Sequence, residues 1–325
     1  MNLRFGVIGT GYFGRHYVRL LQQIGGAELS AVVSRSETEI ADLPATVKRY
    51  GSADEMLHNG AIDCVVIATP VSTHAELAIQ ALENDKHVLL EKPMAGSLVD
   101  AERIAAAVEK SGRVFMIGHQ YCYNNYIRHL KQEIEAHTLG DIRYLFAEHL
   151  YVGPVRLDIG CFWETATHEL AMIDYLFSQP NLVKVSGQMV DMSGSGRDDF
   201  SSCMLTFDNG LTAAITTTWF APYKLRRMML GGANGMALFD ENQEHALTLY
   251  HHPYPQQESP ESHTSHFFNI PEGEKEYPSV AMQEPLANQV EHFIDCVILS
   301  KTSRTGVEHG LRITRMLENI TDHMR

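Results

Sequence analysis

The feature that most limits what this chain can fold into is Gly9-Thr10-Gly11-Tyr12-Phe13-Gly14, which follows an apolar run, Phe5 to Ile8, and opens a stretch with helical spacing. Glycines at this spacing let a strand turn sharply into a helix. Gly9 serves the tight turn, Gly11 the close approach of a pyrophosphate, and Gly14 the packing of helix on strand. The helix start then offers unpaired N–H groups and its positive dipole end to an anion. Such a turn needs a parallel sheet around it, and the following residues supply one. Apolar runs at Arg4 to Ile8, Leu29 to Val33, Asp63 to Ala68, His87 to Leu90 and Val114 to Ile117 alternate with helical patterns at Tyr12 to Ile24, His74 to Asn84 and Leu98 to Ser111. Nearly continuous apolar strands are buried on both faces, as parallel strands require. Ser97 can cap the last helix and Gly112 can end it.

Beyond Gly118 the pattern changes to longer strands and tight turns. Phe200 to Phe207 and Leu211 to Trp219 flank Asp208-Asn209-Gly210, a hairpin signal because both central residues tolerate positive φ. Cys203, Leu205 and Phe207 share one face of the first strand, and Leu211, Ala213 and Ile215 one face of the second. Further strands are expected at Asp141 to His149, Val183 to Met192, Arg227 to Leu230, Met236 to Phe239 and Ala246 to Tyr250. Two amphipathic helices, Leu286 to Leu299 and Val307 to His323, close the chain. The expected fold class is α/β: a doubly wound Rossmann domain over 1–118, then an α/β domain over 119–325 with an open, mainly antiparallel sheet. The stretch His251 to Met282, with His251, His252, His263 and His266, reads as an exposed loop with a short strand near His266 to Ile270 rather than a metal site.

With 325 residues, 44% of them hydrophobic, the chain is long enough for two cores. Its 40 acidic residues outnumber its 26 basic ones, which disfavours nucleic acid as a partner. The cluster Lys224, Arg226, Arg227 reads either as a solvated strand surface or as a contact to a phosphorylated substrate. Five widely spaced cysteines form neither a disulfide framework nor a zinc motif. No apolar stretch approaches the roughly 20 residues a bilayer span needs. A cytoplasmic protein without membrane or metal partners is expected.

After the second strand the chain reads Val32-Val33-Ser34-Arg35-Ser36, without the carboxylate that usually meets the ribose of NAD. Ser34 and Arg35 suit a 2'-phosphate, so NADP is preferred, while Glu37 and Glu39 a little further on keep NAD open. Thr69-Pro70 and His74 follow the third strand at the edge where ligands bind in open α/β sheets. His74 reads either as a cofactor contact or as a helix-start residue. Glu91-Lys92-Pro93 closes the fourth strand, and Lys92 reads either as a surface lysine on a strand end or as a group that accepts or relays the proton of an alcohol beside a nicotinamide. Gln120, Tyr121, Tyr123 and Asn124, with Arg156 and Trp163, are candidates to line a polyol pocket, although tyrosines also pack in cores.

Together these motifs resemble the glucose-fructose oxidoreductase / inositol dehydrogenase family, Gfo/Idh/MocA. The resemblance rests on Gly9 to Gly14, Thr69-Pro70 with His74, Glu91-Lys92-Pro93, Gly118-His119, Leu139-Gly140-Asp141-Ile142 and His309-Gly310-Leu311-Arg312. It implies NAD(P)-dependent oxidoreduction of a sugar, sugar nucleotide or cyclitol, a catalytic Lys92, and a homodimer or homotetramer formed through the second sheet. The family's second motif has Asp and His four apart with Gly between. Here Trp163-Glu164-Thr165-Ala166-Thr167-His168 fits that register, with Glu164 and Ala166 departing from it. His168 is then the expected acid/base and Glu164 its orienting carboxylate. A rival register at Asp158-Ile159-Gly160 puts Phe162 where the histidine belongs, and Asp158 stays a substrate-site candidate. Glu164 and His168 also read as a helix-start ion pair or a metal half-site, and nothing nearby supplies a third ligand. Alternatives to the oxidoreductase are an NAD-dependent glycosidase with transient hydride transfer and a non-catalytic sugar or nucleotide sensor.

Overall fold

The computed structural model describes residues 2–34, 43–59, 61–251 and 273–324. Arg35, Ser36, Glu37, Glu39, His252, His263, His266 and the strand expected near His266 to Ile270 lie outside the described residues. The chain forms two compact units, Met1–Asn124 with Gln283–Asn319 and Asn125–Met282 with Ile320–Arg325.

In the first unit the order is β1 (Leu3–Ile8), α1 (Tyr12–Leu21), β2 (Ala27–Val33), β3 (Lys48–Tyr50), α2 (Ala53–Asn59), β4 (Cys64–Ile67), α3 (His74–Glu83), β5 (His87–Leu90), α4 (Leu98–Ser111) and β6 (Phe115–Ile117). The six strands are parallel in the order β3-β2-β1-β4-β5-β6. Strand order reverses between β1 and β4, so a crevice opens at their carboxyl ends beside the glycine turn. All four residues of β4 are buried, as expected of a strand covered on both faces. Ser97 accepts a hydrogen bond from the Asp100 N–H, and Gly112 ends α4 at φ +63°. β3 and α2 were not expected. β3 is a three-residue Lys-Arg-Tyr edge strand with no apolar run to reveal it.

The second unit runs α5 (Asn125–Glu135), β7 (Ile142–Val152), a π-helical turn (Phe162–Ala166), α6 (Thr167–Leu176), β8 (Leu182–Val190), β9 (Phe200–Phe207), β10 (Thr212–Thr218), β11 (Phe220–Gly232), β12 (Gly235–Asp240), β13 (Leu247–His251) and β14 (Glu274–Glu276). These strands form one sheet in the order β14-β13-β12-β11-β7-β10-β9-β8, antiparallel throughout except for the parallel pair β7 and β10. The Asn209-Gly210 turn joins β9 to β10 with Gly210 at φ +85°. Its inner face is read from alternate residues: Cys203, Leu205 and Phe207 on β9, Ala213 and Ile215 on β10, and Leu145, Ala147 and His149 on β7.

The last helices, α7 (Pro285–Leu299) and α8 (Val307–Met324), follow the second unit in sequence, yet up to Asn319 they count with the first. The division therefore differs from 1–118 and 119–325. Phe293 of α7 packs 6.0 Å from Phe5 of β1, and the Thr305 carbonyl accepts the Ile117 N–H at 2.8 Å. An amphipathic helix does not declare in sequence which core it covers. Among the described residues no helix is long and apolar enough to cross a membrane.

Candidate functional site

The glycine turn has the local geometry its sequence requires. Gly9 sits at φ +89°, where a side chain would also meet the Ala68 carbonyl oxygen. A Cβ on Gly14 would collide with the carbonyl oxygen of Gly9, whereas one on Gly11 would meet nothing within 4 Å. Gly11 therefore leaves space in front of α1, whose start has no side-chain cap. Unclaimed first-turn N–H groups facing open space suit a pyrophosphate, so the residues present fit a dinucleotide. Tyr12 and Phe13 are exposed, at 77% and 37%. Thr10 is buried, and its hydroxyl donates to Ser34 Oγ at 2.8 Å, which ties the turn to the end of β2.

At the ends of β4 and β5 the loops brace each other. His74 is 1% exposed, with Nδ1 2.9 Å from the Pro93 carbonyl and Nε2 2.9 Å from the Thr69 carbonyl. Both carbonyl oxygens only accept, so the ring can donate to either of them, the tautomer deciding which. Of the two readings of this residue, the structural brace is the one its partners describe. Pro70 caps a short turn in which its carbonyl accepts from Thr73 Oγ1 at 2.8 Å. Lys92 is half-buried, and its N–H lies 3.2 Å from Glu91 Oε2.

Among the pocket candidates of this unit, Tyr123 requires correction. It is 1% exposed, its hydroxyl lies 2.9 Å from Thr305 Oγ1, and the Arg304 guanidinium sits 4.8 Å from its ring centre. It is a core residue with no surface to offer a polyol. Tyr121 is also buried, while Gln120 and Asn124 remain partly accessible.

In the second unit the expected residues meet several that sequence did not single out. Glu164 lies in the π-helical turn and His168 in the first turn of α6. Glu164 Oε2 accepts from the Tyr151 hydroxyl and from Thr165 Oγ1, both at 3.0 Å. Burial and the neighbouring Glu164 carboxylate raise the pKa of Tyr151, so its phenol stays a donor. His168 is 7% exposed, and its ring stacks on that of His149 at 5.8 Å with 23° between planes. His149 in turn has Nδ1 3.0 Å from Glu169 Oε1, both residues being buried. A carboxylate only accepts, so Nδ1 carries the proton of this bond. Asp198 Oδ2 caps the turn by accepting the Phe162 N–H at 2.7 Å. His149 and Tyr151 did carry a sequence signal, being polar residues on the inner face that Leu145 and Ala147 begin.

Arg156 and Asp158 are paired with each other, through Nε to Oδ1 at 2.9 Å and Nη2 to Oδ2 at 2.6 Å. Those hydrogen bonds raise the pKa of the guanidinium and hold the Asp158 carboxyl below the usual range. The Trp163 indole donates to Thr321 Oγ1 at 2.9 Å. In the basic cluster, Arg227 pairs with Glu148 at 2.6 Å and Arg226 with Glu241 at 3.5 Å, so carboxylates already meet the two arginines that were weighed as a phosphate contact.

Residues 3–119 match the oxidoreductase family with an NAD-binding Rossmann fold, and residues 127–238 match the GFO/IDH/MocA C-terminal domain. The chain belongs to the Gfo/Idh/MocA family. As a member it is an NAD(P)-dependent oxidoreductase. UDP-N-acetylglucosamine 3-dehydrogenase of Acidithiobacillus ferrooxidans is 25% identical over 91% of this chain and 89% of that protein. A solved structure of that dehydrogenase superposes on 100% of this chain and 98% of its own, with a TM-score of 0.83 at 24% identity, a likeness of fold. Myo-inositol 2-dehydrogenase of Thermotoga maritima is 25% identical over 76% of this chain and 78% of that protein. The 2,7-anhydro-N-acetylneuraminate hydratase of Escherichia coli is 27% identical over 66% of this chain, which spans 61% of that protein. Family membership accounts for the sheet order and the glycine turn, and leaves the substrate to chemistry.

Proposed function

We propose that this protein transfers a hydride between a nicotinamide dinucleotide, NADP in preference to NAD, and a CH–OH group of a sugar, sugar nucleotide or cyclitol. The observation that carries this reading is a buried imidazole, His168, stacked on a second imidazole that a buried carboxylate holds. Such a stack handles protons and does nothing for an apolar core. An alcohol being oxidised must lose its hydroxyl proton, which a neutral His168 can accept and, in the reverse direction, return. Glu164, held by Tyr151 and Thr165, is assigned to orient His168. Lys92, at the carboxyl end of β5 and separated by β4 from the strand that enters the glycine turn, is assigned to proton relay at the dinucleotide. Gly9, Thr10, Gly11, Tyr12, Phe13, Gly14, Ser34, Arg35, Thr69, Pro70, His74 and Glu91 form or support the dinucleotide site. Gln120, Tyr121 and Asn124 in the first unit, and Arg156, Asp158 and Trp163 in the second, are assigned as candidates for substrate contact.

The first unit is assigned the nucleotide and the second unit substrate binding and self-association into a dimer or tetramer. Exposed Met204 and Val183 on its sheet support the latter, at 53% and 66%. NADP is supported by the absence of a carboxylate directly after β2 and by Ser34 beside the turn. Relatives named dehydrogenases of inositol and of a sugar nucleotide support the substrate class. A second reading has the cofactor end as it began, and it is favoured by the relative named a hydratase. The deciding test offers sugars, cyclitols and sugar nucleotides with NADP and with NAD and follows nicotinamide absorbance. Substrate-dependent reduction supports the first reading, and product without net change in absorbance supports the second. Lys92→Ala should abolish turnover under either while dinucleotide binding is kept, and surviving turnover overturns the role of Lys92.

A further inference from the structure

We propose that Tyr17 and Gln289 are positioning residues for Lys92, acting through the carboxylate of Glu91. This rests on the role assigned to Lys92 above. Tyr17 lies on the inner face of α1, where an apolar side chain would satisfy packing, and it is 0% exposed. A phenol in that place costs free energy unless its hydroxyl is bonded. It is bonded twice. The hydroxyl donates to Glu91 Oε1 at 2.6 Å and accepts from Gln289 Nε2 of α7 at 2.9 Å, and Gln289 is also 0% exposed. The other oxygen of Glu91 receives the Lys92 N–H at 3.2 Å. With each oxygen held, the carboxylate cannot turn, and the peptide it grips cannot turn either.

Three further features belong to the same arrangement. A Cβ on Gly118 would come 2.9 Å from Glu91 Oε1 and 3.3 Å from the Tyr17 hydroxyl oxygen. The glycine before His119 is thus the clearance the triad needs. On the far side of Lys92, the Pro93 carbonyl is taken by His74 Nδ1 at 2.9 Å, and the Glu91 N–H is given to the Ile67 carbonyl at 2.9 Å. The backbone on both sides of the lysine is fixed, which is what holding an amine in one geometry demands. Because Tyr17 sits on the helix that the glycine turn opens, one element serves both the phosphate end and the lysine. Burial, with the Glu91 charge beside it, pushes the Tyr17 phenol well above its ordinary pKa and keeps it a donor across the working pH range.

The test needs no substrate. Full-length wild type, Tyr17→Phe and Gln289→Leu are treated with trinitrobenzenesulfonate, and labelling of Lys92 is compared by peptide mass spectrometry with that of exposed Lys110 in the same sample. Retained NADPH binding, read by fluorescence titration, certifies a folded nucleotide unit. Loosening the strand end should raise the Lys92 to Lys110 ratio about fivefold in Tyr17→Phe, the scale of one net hydrogen bond in an equilibrium. Gln289→Leu should raise it by about twofold, since it removes only the outer bond. Unchanged ratios in both variants, even with a lowered melting temperature, overturn the proposal and leave the triad merely structural. If Tyr17→Phe does not fold, Gln289→Leu decides alone. Turnover surviving in Lys92→Met would instead remove the role of Lys92 without touching the labelling result, so the two failures are distinct.

Discussion

Replacing His149 with Phe isolates the energetic weight of the buried pair beneath His168. Phenylalanine keeps a ring against His168 and fills the volume, but it leaves Glu169 without its donor. Oε1 loses the bond at 3.0 Å, and Oε2 is already buried with no hydrogen-bond partner among the described residues. Removing one partner of a buried pair costs about 3–5 kcal/mol, because the remaining charge stays desolvated. Both tryptophans, Trp163 and Trp219, belong to the second unit, so intrinsic fluorescence in urea reports that unit. With an m value of about 2.5 kcal/mol/M, a loss of about 4 kcal/mol moves the midpoint down by about 1.5 M. The double variant His149→Phe with Glu169→Leu removes both polar partners and should recover most of that shift. A single-variant shift below about 0.2 M, the scale of a neutral surface change, or a double variant no better than the single, would refute the reasoning.

Two other outcomes follow from features already described. Gly14→Ala forces a Cβ against the Gly9 carbonyl oxygen, a backbone atom that cannot step aside, so NADPH affinity by fluorescence titration should fall by about tenfold or more; unchanged affinity would remove the turn from the binding site. Asp63 is held below its ordinary pKa by hydrogen bonds from Arg4 and by the Arg4 charge. A depressed folded pKa gives stability that is present above the unfolded value of about 3.9 and lost as pH falls through the folded one. The side chains of Arg4 and Asp63 are 43% and 34% exposed, so solvent screening keeps the contribution of the pair small. Asp63→Asn should therefore melt slightly below wild type at neutral pH, with the gap closing below about pH 4; a gap that widens in acid contradicts the assignment.

What the sequence made legible follows physical range. The parallel strands declared themselves because burial on both faces leaves runs such as Cys64 to Ile67 without a polar residue. Ser97, Gly112 and Asn209-Gly210 were legible because caps and turns act within a few residues. Lys92 and His168 stood out through motif spacing. Partners brought together by the fold did not. Gln289 meets Tyr17 across 272 positions, and nothing in either amphipathic pattern announces it. The parallel pairing of β7 with β10 is equally silent, since alternation gives a strand's inner face and not its neighbour. Tyr123 misled because an aromatic beside a strand end has the same composition in a pocket and in a core. The spacing of Glu164 and His168 suggested an ordinary helical face, whereas the residues from Phe162 to Ala166 form a wider π turn whose carboxylate finds Tyr151 on a strand.

The first unit is assembled from two pieces of chain, and that has a consequence during synthesis. Its sheet is complete once β6 leaves the ribosome, yet Phe5, Tyr17 and Ile117 find Phe293, Gln289 and Thr305 only after residues 125–282 have been made. At about 5–20 residues per second, that interval is on the order of ten to thirty seconds. Throughout it a nearly finished nucleotide fold carries an uncovered apolar flank and a phenol that has Glu91 but not yet Gln289 for a partner. A protein cut short before α7 would carry the glycine turn and the Tyr17–Glu91 bond with that flank still open and Gln289 missing.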